Sequence, residues 1–140
     1  MQLTKNFTLE EMIASSTAVK RGIINMPNDS QKANLQALCT MILQPVRDVY
    51  GKPMTITSGF RCPALNKAVG GVATSQHLNG EAADINVGVN NKALFQLMKK
   101  MVEEGKIKVG QLLDENNGSW IHVSLPSAKH QNFIKSIWAK

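Results

Sequence analysis

The stretch His77-Leu78-Asn79-Gly80-Glu81-Ala82-Ala83-Asp84, followed further along the chain by Trp120-Ile121-His122-Val123-Ser124, carries the most information about this protein. Together the two stretches supply two histidines and one aspartate on segments that can lie close together. Three nitrogen and oxygen ligands with a fourth position left open are typical of a catalytic zinc site, since structural zinc sites are usually closed and rich in cysteine. Such a zinc ion polarises a carbonyl group and makes bound water acidic. The sequence therefore predicts a zinc-dependent hydrolase.

Strand alternation indicates how these ligands could meet. In a strand over residues 82–87, Asp84 points away from the apolar side chains that flank it, because successive side chains face opposite sides of a sheet. In a strand over residues 120–125, His122 is likewise on the face opposite its apolar neighbours. If the two strands are neighbours, Asp84 and His122 lie side by side on the polar face, and His77 reaches them from the preceding loop.

Length and composition set the limits of the prediction. A chain of 140 residues that is 43% hydrophobic is expected to form one domain, residues 1–140, around one core. Residues 1–20 contain Lys5, Glu10 and Glu11 and no long apolar run, which argues against a signal peptide or a membrane span there. The net charge of +6 suits an anionic polymer such as a cell wall, or serves solubility alone. Because the basic residues are dispersed, no nucleic-acid partner is predicted.

Two cysteines, Cys39 and Cys62, are too few for a disulfide scaffold, and their spacing matches no zinc-ribbon pattern. Cys39 falls at a core position of a predicted helix and is interpreted as a small buried hydrophobe. Cys62 lies beside the candidate site, where it either packs locally or competes for the metal; local packing is the favoured interpretation.

Periodicity and turn residues predict an α+β fold, with helices packed on a small, mostly antiparallel sheet. The predicted helices begin at Thr8, at Asn28 or Asp29, at Asn90 or Asn91, and at Pro126 or Ser127, with a short helical turn at 63–69 and a loop at 16–28. The predicted strands cover residues 54–58, 82–87, 107–113 and 120–125. Pro45 is expected to kink or divide the second helix.

A histidine considered alone is more often structural or exposed than bound to a metal. His130, which has no acidic or histidine neighbour in the terminal segment, is expected to be such a residue. His77 and His122 taken singly would receive the same interpretation, and motif matches of this length arise by chance. Spacing alone therefore leaves the zinc site and a structural role both open.

A longer pattern favours the zinc site. Its blocks are 56–66 (Ile-Thr-Ser-Gly-Phe-Arg-Cys-Pro-Ala-Leu-Asn), Val69-Gly70-Gly71, 75–85 (Ser-Gln-His-Leu-Asn-Gly-Glu-Ala-Ala-Asp-Ile), Gln111-Leu112-Leu113 and 120–124. In this order they resemble the zinc D-Ala-D-Ala carboxypeptidase family, which includes related cell-wall endopeptidases. The most similar branch is the compact single-domain one found in many phage and prophage proteins. The resemblance spans roughly residues 5–125 and implies a zinc site on the face of the sheet.

The resemblance implies His77, Asp84 and His122 as the zinc ligands and a catalytic role for Arg61. A guanidinium is not a base at neutral pH, but it can hold a substrate carbonyl or carboxylate and stabilise a developing oxyanion. The alternative for Arg61 is a structural ion pair with Asp84 or Glu81.

The general base is the least determined residue. Some branches of the family place a glutamate three residues before the last histidine, where this chain has Ser119. Members similar to this branch carry an acid soon after the Gln-Leu-Leu strand, which points to Glu115, with Asp114 second and Glu81 third. Alternation places Asp114 and Glu115 on opposite faces, so only one of them should face the site. A solvated turn acid is the alternative for both.

Ser75, Gln76 and Trp120 are the candidate substrate-binding residues, although the two loop residues could instead orient His77 or make loop hydrogen bonds. The expected function is hydrolysis of stem or cross-bridge peptides of peptidoglycan by a zinc peptidase. The expected context is phage lysis, with the protein in the host cytoplasm until release, or attachment to the virion with virion proteins as partners. The rival is a non-enzymatic virion or scaffold protein that keeps the fold, and a nucleic-acid-binding module ranks third.

Overall fold

The computed structural model describes residues 1–138 and begins with a short antiparallel hairpin, β1 (Gln2–Thr4) and β2 (Phe7–Thr8). Helix α1 (Leu9–Ile13) follows directly, and the predicted capping box is confirmed. The Thr8 hydroxyl accepts a hydrogen bond from the Glu11 backbone N–H, and the Glu11 carboxylate accepts one from the Thr8 N–H. Two N–H groups that a helix start leaves without partners are thereby satisfied.

The prediction of a loop over residues 16–28 is wrong in its first part, where helix α2 (Ser16–Arg21) forms. Ser15 caps it by accepting a hydrogen bond from the Ala18 N–H at 3.1 Å. Gly22 ends it in the left-handed conformation, at a φ of 65°. Ala18 is the only buried residue of this helix, so its apolar pattern is too short for periodicity to show.

The second predicted helix is confirmed and is divided where Pro45 was expected to act. Asn28 caps α3 (Asp29–Leu38), which continues through a π-helical turn (Cys39–Leu43) into α4 (Gln44–Tyr50). Proline has no N–H and its ring crowds the preceding turn, which explains a change of helical pitch directly before it. Gly51 then ends α4 with a φ of 75°.

The middle of the chain forms the first half of the main sheet. Strand β3 (Ile56–Ser58) is followed by α5 (Pro63–Ala68), a 3₁₀ turn (Gln76–Asn79) and strand β4 (Ala82–Ile85). The predicted strands at 54–58 and 82–87 and the helical turn at 63–69 are therefore confirmed, with shorter bounds.

Helix α6 (Asn91–Glu103) precedes an antiparallel pair of strands, β5 (Gln111–Glu115) and β6 (Trp120–Ser124). Asn91 ties the helix to this pair, because its amide donates to the Gly118 and Ser119 carbonyl oxygens. The strand predicted at 107–113 begins later than expected, at Gln111. Residues 107–110 lie next to the sheet but are not part of a strand.

The terminal helix predicted from Pro126 or Ser127 is wrong, because strand β7 (Phe133–Lys135) forms there. β7 runs parallel to β5 and covers its outer edge. Asn132, with a φ of 50°, starts the pairing, and the Phe133 N–H donates to the Gly110 carbonyl at 3.0 Å. The apolar spacing from Phe133 to Trp138 fits a helix, but an edge strand with unpaired backbone groups provides a competing partner.

The five-stranded sheet has the order β3-β4-β6-β5-β7, antiparallel except for the last pair. One of its faces packs against α6 and the helices before it, with fully buried side chains from every central strand. These are Ala83, Ile85, Leu112, Ile121 and Val123 from the sheet and Leu94, Phe95 and Met98 from α6. The predicted α+β class is confirmed. Among residues 1–138, no helix has the length and apolar character needed to cross a bilayer.

Candidate metal centre and substrate cleft

The second face of the sheet carries the polar residues. Strands β4 and β6 pair so that Asp84 lies directly opposite His122. Their neighbours in the same row are Ser58 of β3 and Leu113 of β5. The predicted juxtaposition of Asp84 and His122 is therefore observed, and it follows from the period-two alternation of two adjacent strands.

His77 reaches this row from the 3₁₀ turn before β4. The Ser75 hydroxyl caps that turn by accepting a hydrogen bond from the His77 N–H at 3.2 Å. Gly80 ends the turn with a φ of 74°, and a Cβ atom there would lie 2.6 Å from the Gln31 carbonyl oxygen. Glycine is required at this position on both counts, because it alone tolerates that backbone angle and that approach.

The ring of His77 is oriented by the backbone. Its Nδ1 lies 2.6 Å from the Gly59 carbonyl oxygen, an atom that can only accept a hydrogen bond. Nδ1 therefore carries a proton, and Nε2 faces Asp84, whose Oδ1 is 3.4 Å away. Metal-binding histidines commonly donate their other N–H to a carbonyl or carboxylate in this manner.

His77, Asp84 and His122 form one compact cluster, with candidate donor atoms that all lie within 4.8 Å of one another. His122 Nδ1 is 2.9 Å from Asp84 Oδ1. The three residues are nearly excluded from solvent, at 3%, 7% and 9% exposed. Buried polar groups are costly unless each is paired with a hydrogen-bond partner or a metal ion, and a metal ion would compensate all three together.

The electrostatics of Asp84 also suit a ligand that must be ionised. Burial alone would raise the pKa of its carboxyl group, but hydrogen bonds from His122 and His77 outweigh burial and hold the pKa below the ordinary value. Asp84 is therefore a carboxylate at neutral pH, as coordination requires.

The cluster fits zinc. Two imidazole nitrogens and one carboxylate oxygen are the donor set of many catalytic zinc sites. Ligands bound tetrahedrally at zinc distances lie roughly 3.4 Å apart, and His77 Nε2 and Asp84 Oδ1 are 3.4 Å apart. The predicted cofactor is confirmed as zinc by this cluster and by the comparisons below. The role of each single residue as a ligand stays a prediction.

Arg61 lies at the edge of the cluster and is held on three sides. Its Nε donates to the Ser58 hydroxyl at 3.1 Å, and its Nη1 donates to the Asn66 amide oxygen at 3.0 Å. Its Nη2 is 3.6 Å from Asp84 Oδ2, so the ion pair considered from the sequence does form. The same guanidinium also faces the cleft, and its catalytic role stays a prediction.

Asn66 is a residue that sequence reasoning missed. It is 4% exposed, and its amide nitrogen donates to the Val72 carbonyl oxygen at 3.0 Å while its oxygen accepts from Arg61. A Cβ atom at Gly71 would lie 2.1 Å from the Asn66 amide oxygen and 2.7 Å from Arg61 Nη1. The glycine therefore leaves room for the clamp on the guanidinium. One feature of the sequence could have pointed to Asn66 and Gly71, because both fall within the blocks that carry the family resemblance.

Asp114 and Glu115 face opposite sides of β5, as alternation predicts. Glu115 faces the cleft, with its Oε1 3.5 Å from His122 Nδ1. Asp114 accepts a hydrogen bond from the Ile137 N–H at 2.8 Å and holds the segment just after β7. Glu81 also borders the cleft. Ser119 lies in the β5–β6 turn, where its hydroxyl donates to the Asn116 carbonyl oxygen. The geometry favours Glu115 over Asp114 as base, and the role stays a prediction.

All three predicted substrate-binding residues border the cleft. The Gln76 amide donates to the Leu125 carbonyl oxygen at 3.1 Å, and Ser75 caps the turn of His77, so both have the structural roles that were the alternative. Trp120 shares its sheet face with His122, and its indole Nε1 is buried without a hydrogen-bond partner in the described part of the chain. Substrate contact by these residues stays a prediction.

The cleft above the cluster has a volume of about 830 Å³. Its far wall includes Ser127, Lys129 and His130, which sequence reasoning placed in a terminal helix. Within residues 1–138, the cluster that could hold a metal does not include His130.

Cys39 is buried in the core, which raises the pKa of its thiol to about 12, with a smaller contribution from Glu11. Cys62 is half-buried, packs against the core and forms no disulfide.

Comparison with known proteins agrees with this geometry. Residues 5–124 match the peptidase M15 family. The chain is also 36% identical over 85 residues to the zinc D-Ala-D-Ala carboxypeptidase of Streptomyces albus G. That alignment covers 59% of this chain and 32% of the relative, so the chain spans about a third of that relative's length. The family match and the cluster confirm the predicted class, a zinc metallopeptidase domain. The chain belongs to the peptidase M15 family.

Proposed function

We propose that this protein hydrolyses peptide bonds in the stem or cross-bridge peptides of peptidoglycan. The observation that carries the proposal is the buried cluster of His77, Asp84 and His122 at the bottom of an open cleft of about 830 Å³. A site that only stabilised the fold would be closed on all sides. The volume is within the range of clefts that bind ligands of small-peptide size.

Zinc held by the three clustered side chains would supply Lewis acidity, which polarises an amide carbonyl and makes a water molecule reactive at neutral pH. Arg61 stands beside Asp84 with its guanidinium fixed by Ser58 and Asn66. It binds the carbonyl oxygen of the scissile amide and stabilises the negative charge that develops there. Because its donors are held in place, little reorganisation is needed during the reaction.

Glu115 moves the proton. Its Oε1 lies 3.5 Å from His122 Nδ1 and its side chain is 39% exposed, so it reaches both the cluster and the cleft. It accepts the proton of the attacking water and delivers it to the nitrogen of the leaving amine. Both transfers use one carboxylate and require only that it be ionised at the start.

The proposed substrate class is based on similarity to the Streptomyces albus G relative and on net charge. The Streptomyces albus G relative is named for D-Ala-D-Ala, a peptide unit of cell walls, and the charge of +6 suits an anionic wall polymer. A phage lysis or virion-associated setting rests only on the resemblance to the compact branch found in phages. If the setting is right, cells that make the protein internally stay intact until their membrane is permeabilised, and immediate lysis would contradict it.

Digestion of purified sacculi tests the function. The zinc-loaded protein should release muropeptides with new peptide termini, and mass spectrometry would identify the bond that is cleaved. The double variant His77→Ala/His122→Ala, tested under the same conditions, is expected to release none. A protein that binds one equivalent of zinc but leaves sacculi intact would contradict the proposal and support the non-enzymatic rival.

A further inference from the structure

The segment that forms the far wall of the cleft lies outside the part of the chain that matches the family. The family match ends at residue 124, at the last residue of β6. Residues 126–132, here called the arm, then cross from β6 to β7 along the cleft. Ser127, Lys129 and His130 of the arm border the same cavity as Arg61 and the metal cluster.

The arm is held at both ends. Before it, the Leu125 N–H donates to the Glu81 carbonyl oxygen at 2.9 Å, and the Leu125 carbonyl accepts from Gln76. After it, the Asn132 N–H donates to the Val109 carbonyl oxygen, and the Asn132 amide oxygen accepts from the Val109 N–H at 3.1 Å. These contacts fix the arm relative to the 3₁₀ turn on one side and to β5 on the other.

The arm is also closed internally. The Ser127 N–H donates to the His130 carbonyl oxygen at 2.9 Å, and the His130 N–H donates to the Ser127 hydroxyl at 3.1 Å. The His130 ring packs against Phe133, with ring centroids 5.9 Å apart. Lys129 is thus presented at the tip of a turn whose backbone is already ordered, so binding there costs little backbone entropy.

Lys129 brings a positive charge that the structure leaves without a partner. Within residues 1–138, the lysines that form ion pairs are Lys99 and Lys106, both far along the chain from the arm. The cleft does hold carboxylates, from Glu81, Asp84 and Glu115, but none of them lies within ion-pair distance of Lys129 in the described structure. An ammonium group that borders a cleft, on a backbone turn that is already ordered, and that is not neutralised by a neighbouring carboxylate is suited to bind an anionic group of a ligand.

We propose that the arm is a substrate subsite in which Lys129 binds a carboxylate of the peptide, on the side of the cleft bordered by β5. The inference rests on the proposed function, because the ligand is the peptide whose amide bond is cleaved. It adds a specificity element that the family match does not contain: preference for an acidic peptide over its neutral counterpart. His130, packed on Phe133, holds the turn that presents Lys129.

A matched pair of peptides tests the subsite. The probe is a synthetic stem peptide that carries free carboxylates, and its counterpart has every carboxylate amidated. Cleavage of the acidic peptide gives kcat and KM, and the amidated peptide is measured as a competitive inhibitor. Lys129→Ala is compared with the parent and with Lys108→Ala, which removes the same charge from an exposed position that does not border the cleft.

Lys129→Ala is expected to raise KM for the acidic peptide by about two- to fivefold, the range for one exposed charged contact, with kcat unchanged. The inhibition constant of the amidated peptide should stay the same, and Lys108→Ala should alter neither value. For the acidic peptide, the difference in KM between the parent and Lys129→Ala should decrease as salt is added. Equal effects on both peptides, or no effect of Lys129→Ala, would overturn the subsite.

Failure of the proposed function gives a different result. If the zinc-loaded parent protein cleaves neither peptide, hydrolysis is wrong, and the subsite is then tested by titration of both peptides into the same protein. Tighter binding of the acidic peptide that is lost in Lys129→Ala supports the subsite without hydrolysis. Binding of equal strength in the parent and Lys129→Ala would refute it.

Discussion

The floor and the rim of the cleft are built from different kinds of structure. The floor, which consists of His77, Asp84 and His122, is buried and is anchored in the adjacent interior strands β4 and β6 and in the turn before β4. The rim includes Glu115, Trp120 and the arm, and it is formed by the ends of strands and by a connection that leaves the sheet. The predicted metal ligands are therefore on the rigid floor, and the proposed base and the proposed substrate contacts are on the more exposed rim.

The floor and the rim also differ in the energetic cost of a substitution. Each floor residue contacts another floor residue or a backbone carbonyl, so a substitution there leaves a buried polar group without a partner. A rim residue such as Glu115 is 39% exposed, and water can replace what its side chain loses. Substitutions at the floor should therefore remove bound metal, whereas substitutions at the rim should leave the metal in place and change the rate or the binding of substrate.

The largest effect is expected at the floor. Asp84→Ala and His77→Ala should each lose most of the bound zinc, because a tetrahedral site with two protein ligands left binds weakly. Metal analysis of the purified variants measures this directly. His130→Ala is the matched control, since it removes a histidine from the rim and should keep about one zinc per chain. Full zinc in the double variant His77→Ala/His122→Ala would overturn the ligand assignment.

The second effect separates two adjacent acids. Glu115→Gln is nearly isosteric and should keep zinc, but it removes the proton acceptor and should lower kcat by about 10²–10⁴. Asp114→Asn is the control, because Asp114 faces away from the cleft and holds the Ile137 N–H. It should retain most of the activity and at most loosen the segment just after β7.

A muropeptide assay with zinc content confirmed in both variants measures this pair. A severe defect in Asp114→Asn with a near-normal Glu115→Gln would transfer the role of base to Asp114. Two near-normal variants would direct the search to Glu81, which also borders the cleft.

The sequence predicted the floor better than the rim for a physical reason. Asp84 and His122 fall at alternate positions between apolar residues that must face the core, so burial of Ile85 and Val123 fixes the direction of the polar side chains. That inference needs only the chain itself and the assumption that the two strands are neighbours. The register of Asp84 against His122 supports it.

The rim could not be predicted in the same way. Phe133, Ile134, Ile137 and Trp138 are spaced as on one face of a helix, and local pattern alone therefore favours a helix. The observed strand depends on an open edge of β5 and on Trp138 packing 5.6 Å from Phe95, which are contacts distant in sequence. The contact of Asn66 with Arg61 was not predicted for a related reason, because a single buried asparagine produces no periodic pattern in the sequence.

The smallest effect is expected where the floor meets the rim, at the clamp on Arg61. Asn66→Leu keeps the size of the side chain but removes the acceptor of Arg61 Nη1 and the donor to the Val72 carbonyl. Loss of buried partners should cost about 1–3 kcal/mol of folding stability. Zinc should remain, because Asn66 is not among the clustered ligands. A guanidinium that is free to move should then lower kcat roughly tenfold, less than the loss of an entire oxyanion donor.

A second variant at the same contact tests whether Asn66 orients Arg61 or only stabilises the fold. Gly71→Ala leaves every hydrogen-bonding group in place but puts a Cβ atom 2.1 Å from the Asn66 amide oxygen and 2.7 Å from Arg61 Nη1. It should displace the clamp and lower kcat in the same direction as Asn66→Leu. Arg61→Lys keeps the charge but loses the planar group that Asn66 and Ser58 hold. Its loss in kcat is the largest that displacement of the guanidinium should cause. If Arg61→Lys lowers kcat while Asn66→Leu and Gly71→Ala are destabilised but fully active below their melting temperatures, Asn66 stabilises the fold and has no part in orienting Arg61.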